Sequence, residues 1–155
     1  MREHIRGRRV LLQALSESPF IREALLRQDW KSLQSRVRGI HENARDLATV
    51  FVVDAAGILR AHSTEPSLVG QDFSHRDYFQ SGRRSAGPYL SAPYIGRATR
   101  EPTVAIAAPI RDEGGPLRGL LAGTLTLQNL STILGQRLPH GGRAFLVGPP
   151  NLVVT

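Results

Sequence analysis

Thr49-Val-Phe-Val-Val-Asp-Ala-Ala-Gly57-Ile-Leu-Arg-Ala-His62 decides how the rest of the chain must fold. Thr49 to Val53 is an unbroken β-branched and aromatic run, which reads as a buried strand. Asp54-Ala-Ala-Gly57 then supplies a turn whose glycine can take positive φ, and Ile58 to His62 returns as the second arm of a hairpin. Such a hairpin needs cover, and the flanking sequence offers it on both sides. Upstream, Trp30, Leu33, Val37, Ile40, Ala44 and Leu47 recur at steps of three and four, which predicts one apolar stripe on a long helix with Asp29 as its N-cap. Ser18 before Pro19 predicts a shorter helix carrying Phe20, Ile21, Ala24 and Leu25, and residues 3 to 16 also read as helical. Downstream, Ser74 opens a short helix to about Gly82, with Ser74 and Asp77 at capping-box spacing.

Three more strands follow: Pro88 to Ile95, Thr103 to Arg111 and Leu117 to Leu127, the last two joined by Asp112-Glu-Gly-Gly-Pro116. Asn129 to Leu134 then reads as a helix closed by Gly135. The fold class is therefore α+β: a five-stranded antiparallel sheet with the N-terminal helix packed along one face and the Ser74 segment over the other, leaving a pocket between sheet and short helix. The chain divides into helical residues 1–48, a sheet module at 49–135, and a linker with a further hairpin at 136–155. That last hairpin, Ala144-Phe-Leu-Val-Gly-Pro-Pro-Asn-Leu-Val153, echoes residues 50–59 and is expected to begin a second, interrupted copy of the sheet module.

The 155 residues are 41% hydrophobic, enough for a real core, and carry a formal charge of +7. That excess favours anionic partners. It is evenly spread, with ten basic and six acidic groups in residues 1–47 and ten and seven in the remainder, so no nucleic-acid stripe is expected. Cysteine is absent, which excludes disulfides, thiolate metal sites and thiol catalysis. No apolar stretch approaches the ~20 residues of a membrane helix. His62, His75, Asp72 and Asp77 lack ligand spacing on any one helix, so no metal is expected, and no Ser-His-Asp set or carboxylate pair anchors catalysis.

Four segments together resemble the Cache family: Phe51 to Gly57, Val69-Gly-Gln-Asp-Phe-Ser-His-Arg-Asp-Tyr-Phe79, Pro102 to Asp112, and Gly119-Leu-Leu-Ala-Gly-Thr-Leu-Thr-Leu127. The resemblance covers roughly residues 10–135 and is to the membrane-distal, PAS-like module of a double-Cache (dCache) sensor. It implies a non-enzymatic, periplasmic sensor within a membrane-anchored receptor of the inner membrane. The output would be a histidine kinase, a diguanylate cyclase or phosphodiesterase, or a chemoreceptor, and a homodimer would form through the N-terminal helix. No cofactor is implied.

Arg76-Asp-Tyr-Phe79 matches the Arg-x-Trp-Tyr motif of amino-acid-binding modules, in which the arginine holds the ligand carboxylate, and a guanidinium fork suits that task. Tyr94, eighteen residues after Arg76, falls where that motif places a further pocket tyrosine. Two departures change the ligand. Gln71 replaces a motif tyrosine, and Ala122-Gly-Thr124 stands where an acid would hold an α-ammonium, so an unpartnered ammonium would be buried. A small organic acid fits better than an amino acid, with Arg76 on its carboxylate and Tyr78, Tyr94, His75, Ser91 and Thr124 as neighbours. The competing readings are plainer. Arg76 would pair with Asp72 or Asp77, Arg83-Arg84 and Arg97 to Arg100 would be exposed loop charge, and the domain would be a ligand-free dimerisation and spacing module.

Overall fold

Side-chain alternation in the strands determines where the two layers sit. In the computed structural model, residues 2–113 and 115–128 are described. Three helices come first: α1 (Arg2–Ser16), α2 (Pro19–Arg27) and α3 (Trp30–Glu42). The hairpin β1 (Thr49–Asp54) and β2 (Leu59–His62) follows, then a single 3-10 turn at Pro66–Leu68, then α4 (Asp77–Gly82). Two short strands, β3 (Tyr89–Leu90) and β4 (Tyr94–Ile95), precede the long antiparallel pair β5 (Pro102–Arg111) and β6 (Leu117–Thr126). The order across the sheet is β2-β1-β6-β5, with β3 and β4 both on the outer edge of β5. Six strands therefore occupy the expected five lanes, and the fifth lane is interrupted.

That interruption has a chemical cause. Ser91 N donates to Ala105 O at 2.8 Å, but Ala105 N donates to the Ser91 hydroxyl at 2.9 Å, so a side chain has taken the place of a backbone acceptor. Pro93, which has no N–H, follows at once. Pairing resumes only at Tyr94, opposite Thr103.

The helices cover one face. Val50, Val52, Val104, Ile106, Leu121 and Leu125 point toward Leu12, Ile21, Leu33, Val37 and Leu47 in one buried cluster. Gly123 lies on this face because a Cβ there would stand 3.1 Å from Leu47 and 3.2 Å from Leu12, so its hydrogen lets the helical layer approach. Asp29 caps α3 as expected, accepting from Ser32 N at 3.2 Å. The apolar stripe outlasts the helix: α3 ends at Glu42, and Ala44 and Leu47 are buried from the connecting turns instead.

The opposite face carries Phe51, Val53, Ala105, Ala107, Leu120 and Ala122, against Phe73, Tyr78, Phe79 and Tyr94. Alanines on β5 and β6 leave depth for those rings. The N-cap of the helix over this face falls two residues later than the sequence suggests. Ser74 N is occupied by the Asp72 carboxylate at 2.8 Å, an Asx turn, and Arg76 takes the N-cap position of α4 in an extended conformation. The helix expected at 129–134 and the hairpin of 136–155 lie outside the described residues.

Candidate functional site

A cavity opens where the alanine-floored face meets the segment before α4. Its floor comes from four strands, with Thr49 and Phe51 of β1, His62 of β2, Thr103 of β5 and Thr124 of β6. Phe73, Arg76 and Tyr78 form one wall, Tyr94 another, and Gly96 to Thr99 the rim. The centre of a water-sized sphere has only about 20 Å3 in which to move, room for about one water. Anything larger requires part of the lining to shift.

Arg76 is only 2% exposed. Its backbone is fixed by Arg76 N donating to Phe73 O at 3.0 Å and by Phe79 N and Gln80 N donating to its carbonyl at 3.1 and 3.0 Å. The guanidinium carbon lies 5.6 Å from the Phe73 ring centroid and 5.3 Å from that of Tyr94, a cation-π position that orients the fork. The two acids expected to compete for it are engaged elsewhere. Asp72 closes the Asx turn, and Asp77 accepts from the Tyr89 hydroxyl and from Ala92 N, all at 3.1 Å.

Tyr78 and Tyr94 line the cavity beside Arg76, their ring centroids 5.6 Å apart. Burial raises the pKa of both phenols, so they stay neutral and able to donate. Thr124 is also in the floor, its hydroxyl 2.6 Å from that of Thr49. Two expected residues stand elsewhere. His75 is exposed and outside the cavity, because it sits in the middle of the turn that the Arg76 N to Phe73 O bond closes. Ser91 is buried but not in the lining, its hydroxyl committed to Ala105 N and Ala92 O.

The sequence reading missed Thr49, Phe51, Thr103, His62 and Arg97. A usable signal existed for most of them. Thr49 shares the period-two face of Phe51, and Thr103 that of Ala105, so strand parity alone marks them as facing the pocket. Arg97, read as loose loop charge, bridges the rim: its guanidinium donates to Gln71 and lies 5.4 Å over the Phe73 ring.

His62 is 2% exposed and stacks on Phe51 with centroids 5.6 Å apart and planes within 5°. Its Nδ1 accepts from Thr64 N at 3.2 Å and Glu65 N at 3.0 Å, which places the proton on Nε2. Burial first, and the neighbouring His41 second, push its pKa down from 6.5 to about 4. Between those two values the unfolded chain binds a proton that the folded chain refuses, so stability rises with pH across this window. The contribution is complete above pH 6.5 and is lost as the pH falls toward 4, an effect of about 3 kcal/mol. Urea unfolding at pH 7 and 4.5 should show the wild type losing more stability than His62→Gln; parallel losses would remove this account.

The cavity is therefore lined, among the described residues, by two arginines and no carboxylate. It suits an anion. It does not suit proton abstraction, because the one lone pair of its histidine is already used by two backbone N–H groups.

No family model matches the chain. The C4-dicarboxylate transport sensor protein DctB of Rhizobium meliloti (strain 1021) is 31% identical over 127 residues, 79% of this chain and 20% of that protein. The chain thus spans about a fifth of the length of this curated relative. Among solved structures, the sensor domain of the V. cholerae histidine kinase DctB aligns with a TM-score of 0.73 at 16% identity, over 84% of this chain and 52% of that one. The E. coli DcuS sensor domain aligns at 0.68 and 21% identity, over 86% and 96% of the two chains. The ligand-binding domain of the Pseudomonas fluorescens chemoreceptor CtaA, in complex with L-serine, aligns at 0.71 and 21%, over 88% and 57%.

Proposed function

We propose that this chain, PAS-like in fold, is a Cache-type sensor domain placed in the periplasm, a reading its resemblance to DctB and to the DctB and DcuS sensor domains supports, and that it binds a small organic acid through Arg76 and reports its presence to the inner-membrane receptor that carries it. One observation supports this above the others: a buried guanidinium, packed against two rings, lines a cavity whose described lining holds no carboxylate. A ligand carboxylate would take the fork, and the neutral phenols of Tyr78 and Tyr94 would donate to it. An amino acid would bring an ammonium with no acid to receive it. The dicarboxylate named for the R. meliloti relative belongs to the favoured class, and the L-serine bound by CtaA to the disfavoured one.

Binding would move the 96–99 rim outward or reseat it over the ligand, and the signal can be no larger than the ligand's differential affinity for the two arrangements. Homodimerisation through the N-terminal helices fits the exposure of Val10, Phe20 and Leu26 on α1 and α2, at 63%, 46% and 48%. The receptor's output would be of the histidine-kinase, diguanylate-cyclase or chemoreceptor kind.

The small free space favours a second reading, a spacing module that binds nothing. Thermal shift across monocarboxylates, dicarboxylates and amino acids separates them. At least one acid should raise the melting temperature, as any ligand selective for the native state must, and amino acids should not. A flat response to every acid would leave the spacer.

A further inference from the structure

We propose that His62 determines ligand specificity in this cavity: its neutral Nε2–H reads a second acceptor oxygen on the acid whose first carboxylate Arg76 holds. The inference rests on the acid-binding reading and adds a ligand class to it, acids carrying a further carboxylate, keto or hydroxyl oxygen.

His62 is held more rigidly than packing alone requires. Its backbone is clamped by the Gln34 side chain of α3, with Gln34 Nε2 donating to His62 O at 2.7 Å and His62 N donating to Gln34 Oε1 at 2.9 Å. Its ring lies flat on Phe51, and Nδ1 is tied to Thr64 N and Glu65 N. Those bonds fix both the plane and the tautomer. The remaining polar atom, Nε2–H, makes no hydrogen bond to a described residue and is not among the polar atoms sealed from solvent, so in a residue that lines the cavity it is open to whatever enters. A phenylalanine would stack on Phe51 equally well but would offer the cavity no donor.

The cap on residues 64 and 65 explains Nδ1 but not Nε2. An acceptor arriving in the cavity explains Nε2. Beside it, Thr49 and Thr124 share one hydroxyl hydrogen between them at 2.6 Å, which leaves the pair a second hydrogen to donate. Together with His62 this gives the floor several neutral donors set apart from Arg76. A chain with one carboxylate and an apolar tail would leave them unmet, whereas succinate, malate or pyruvate would not.

The imidazole's two roles can be separated. His62→Asn keeps an acceptor near Nδ1 and removes the Nε2 donor, while His62→Gln carries an N–H to about the same reach. Calorimetric affinities for succinate, malate and pyruvate against propionate and butyrate should favour the first group in the wild type. That preference should fall about tenfold in His62→Asn and stay within about threefold in His62→Gln. An unchanged preference in His62→Asn, an equal loss for both groups, a Gln variant that behaves like Asn, or a wild type without preference would each overturn the assignment. Arg76→Ala measured alongside keeps the two ideas apart. If it loses every acid while His62→Asn changes nothing, acid binding stands and the role of His62 falls; if no acid binds the wild type, both fall.

Discussion

Arg76→Ala should abolish acid binding at concentrations that saturate the wild-type domain, a loss of at least about 100-fold, while leaving the sheet folded. Two charge-assisted hydrogen bonds in an enclosed site are worth far more than a surface ion pair, and removing one partner of such a pair costs about 3 to 5 kcal/mol. Alanine retains the backbone bonds that Arg76 makes, the one to Phe73 O and the two that start α4, so the sheet should remain folded, and circular dichroism of the variant checks that it does. Arg76→Lys sharpens the test. An ammonium carries the charge but has no planar fork to lie between Phe73 and Tyr94, so the variant should recover less than about a tenth of the wild-type affinity. Titration calorimetry with the acid found in the thermal-shift panel measures both. Full affinity in the lysine variant would mean that the site needs only positive charge, and full affinity in the alanine variant would move the carboxylate elsewhere.

What the sequence makes legible follows from local rules, and what it hides follows from long-range ones. Asp29 as a cap, the Asp54 to Gly57 turn and the β5–β6 pair are decided within a few residues of themselves, and they stand where periodicity and turn chemistry put them. The same local reasoning misplaces the start of α4. Ser74-His-Arg-Asp77 has capping-box spacing, yet the Asp72 carboxylate reaches Ser74 N first, and only the folded loop reveals which of the two acids wins. The broken edge lane is similar: nothing in Pro88 to Ile95 announces that the Ser91 hydroxyl will stand in for a backbone carbonyl.

Arg76, Tyr78 and Tyr94 were reachable because a family motif carries them at fixed spacing, and the cavity brings them together. His75 and Ser91 were chosen for chemistry without regard to direction. The floor was hidden for a different reason. Thr49, His62 and Thr103, unlike the expected Thr124, come from three further strands and meet it only through the register that sets Phe51 opposite His62 and Thr49 opposite Thr124. Parity could have identified the pocket-facing side of each strand, but not which strands are neighbours.

Gly57→Ala should both destabilise the domain, by about 2 to 5 kcal/mol, and weaken acid binding, although Gly57 does not line the cavity. Two costs add. Gly57 holds φ at +88°, which an L side chain adopts only with strain. A Cβ there would also stand 2.7 Å from both Cα and Cβ of Ser74 and 2.9 Å from Ser74 N, and those atoms are not the end of a flexible side chain. The loop that must yield is the one that delivers the site: Phe73 N donates to Gly57 O at 2.8 Å, Leu59 N to Gln71 O at 2.9 Å, and Arg76 follows three residues after Phe73. Pushing Ser74 away from the hairpin therefore shifts the ring under the guanidinium and the guanidinium itself. Gly57→Asn distinguishes the two costs, because asparagine tolerates positive φ but still carries a Cβ. It should remain nearly as impaired as alanine in chemical unfolding, and its acid affinity should fall as well. An asparagine variant with wild-type stability and affinity would show that backbone angle, not contact with Ser74, is what the glycine provides, and would disconnect the hairpin turn from the binding site.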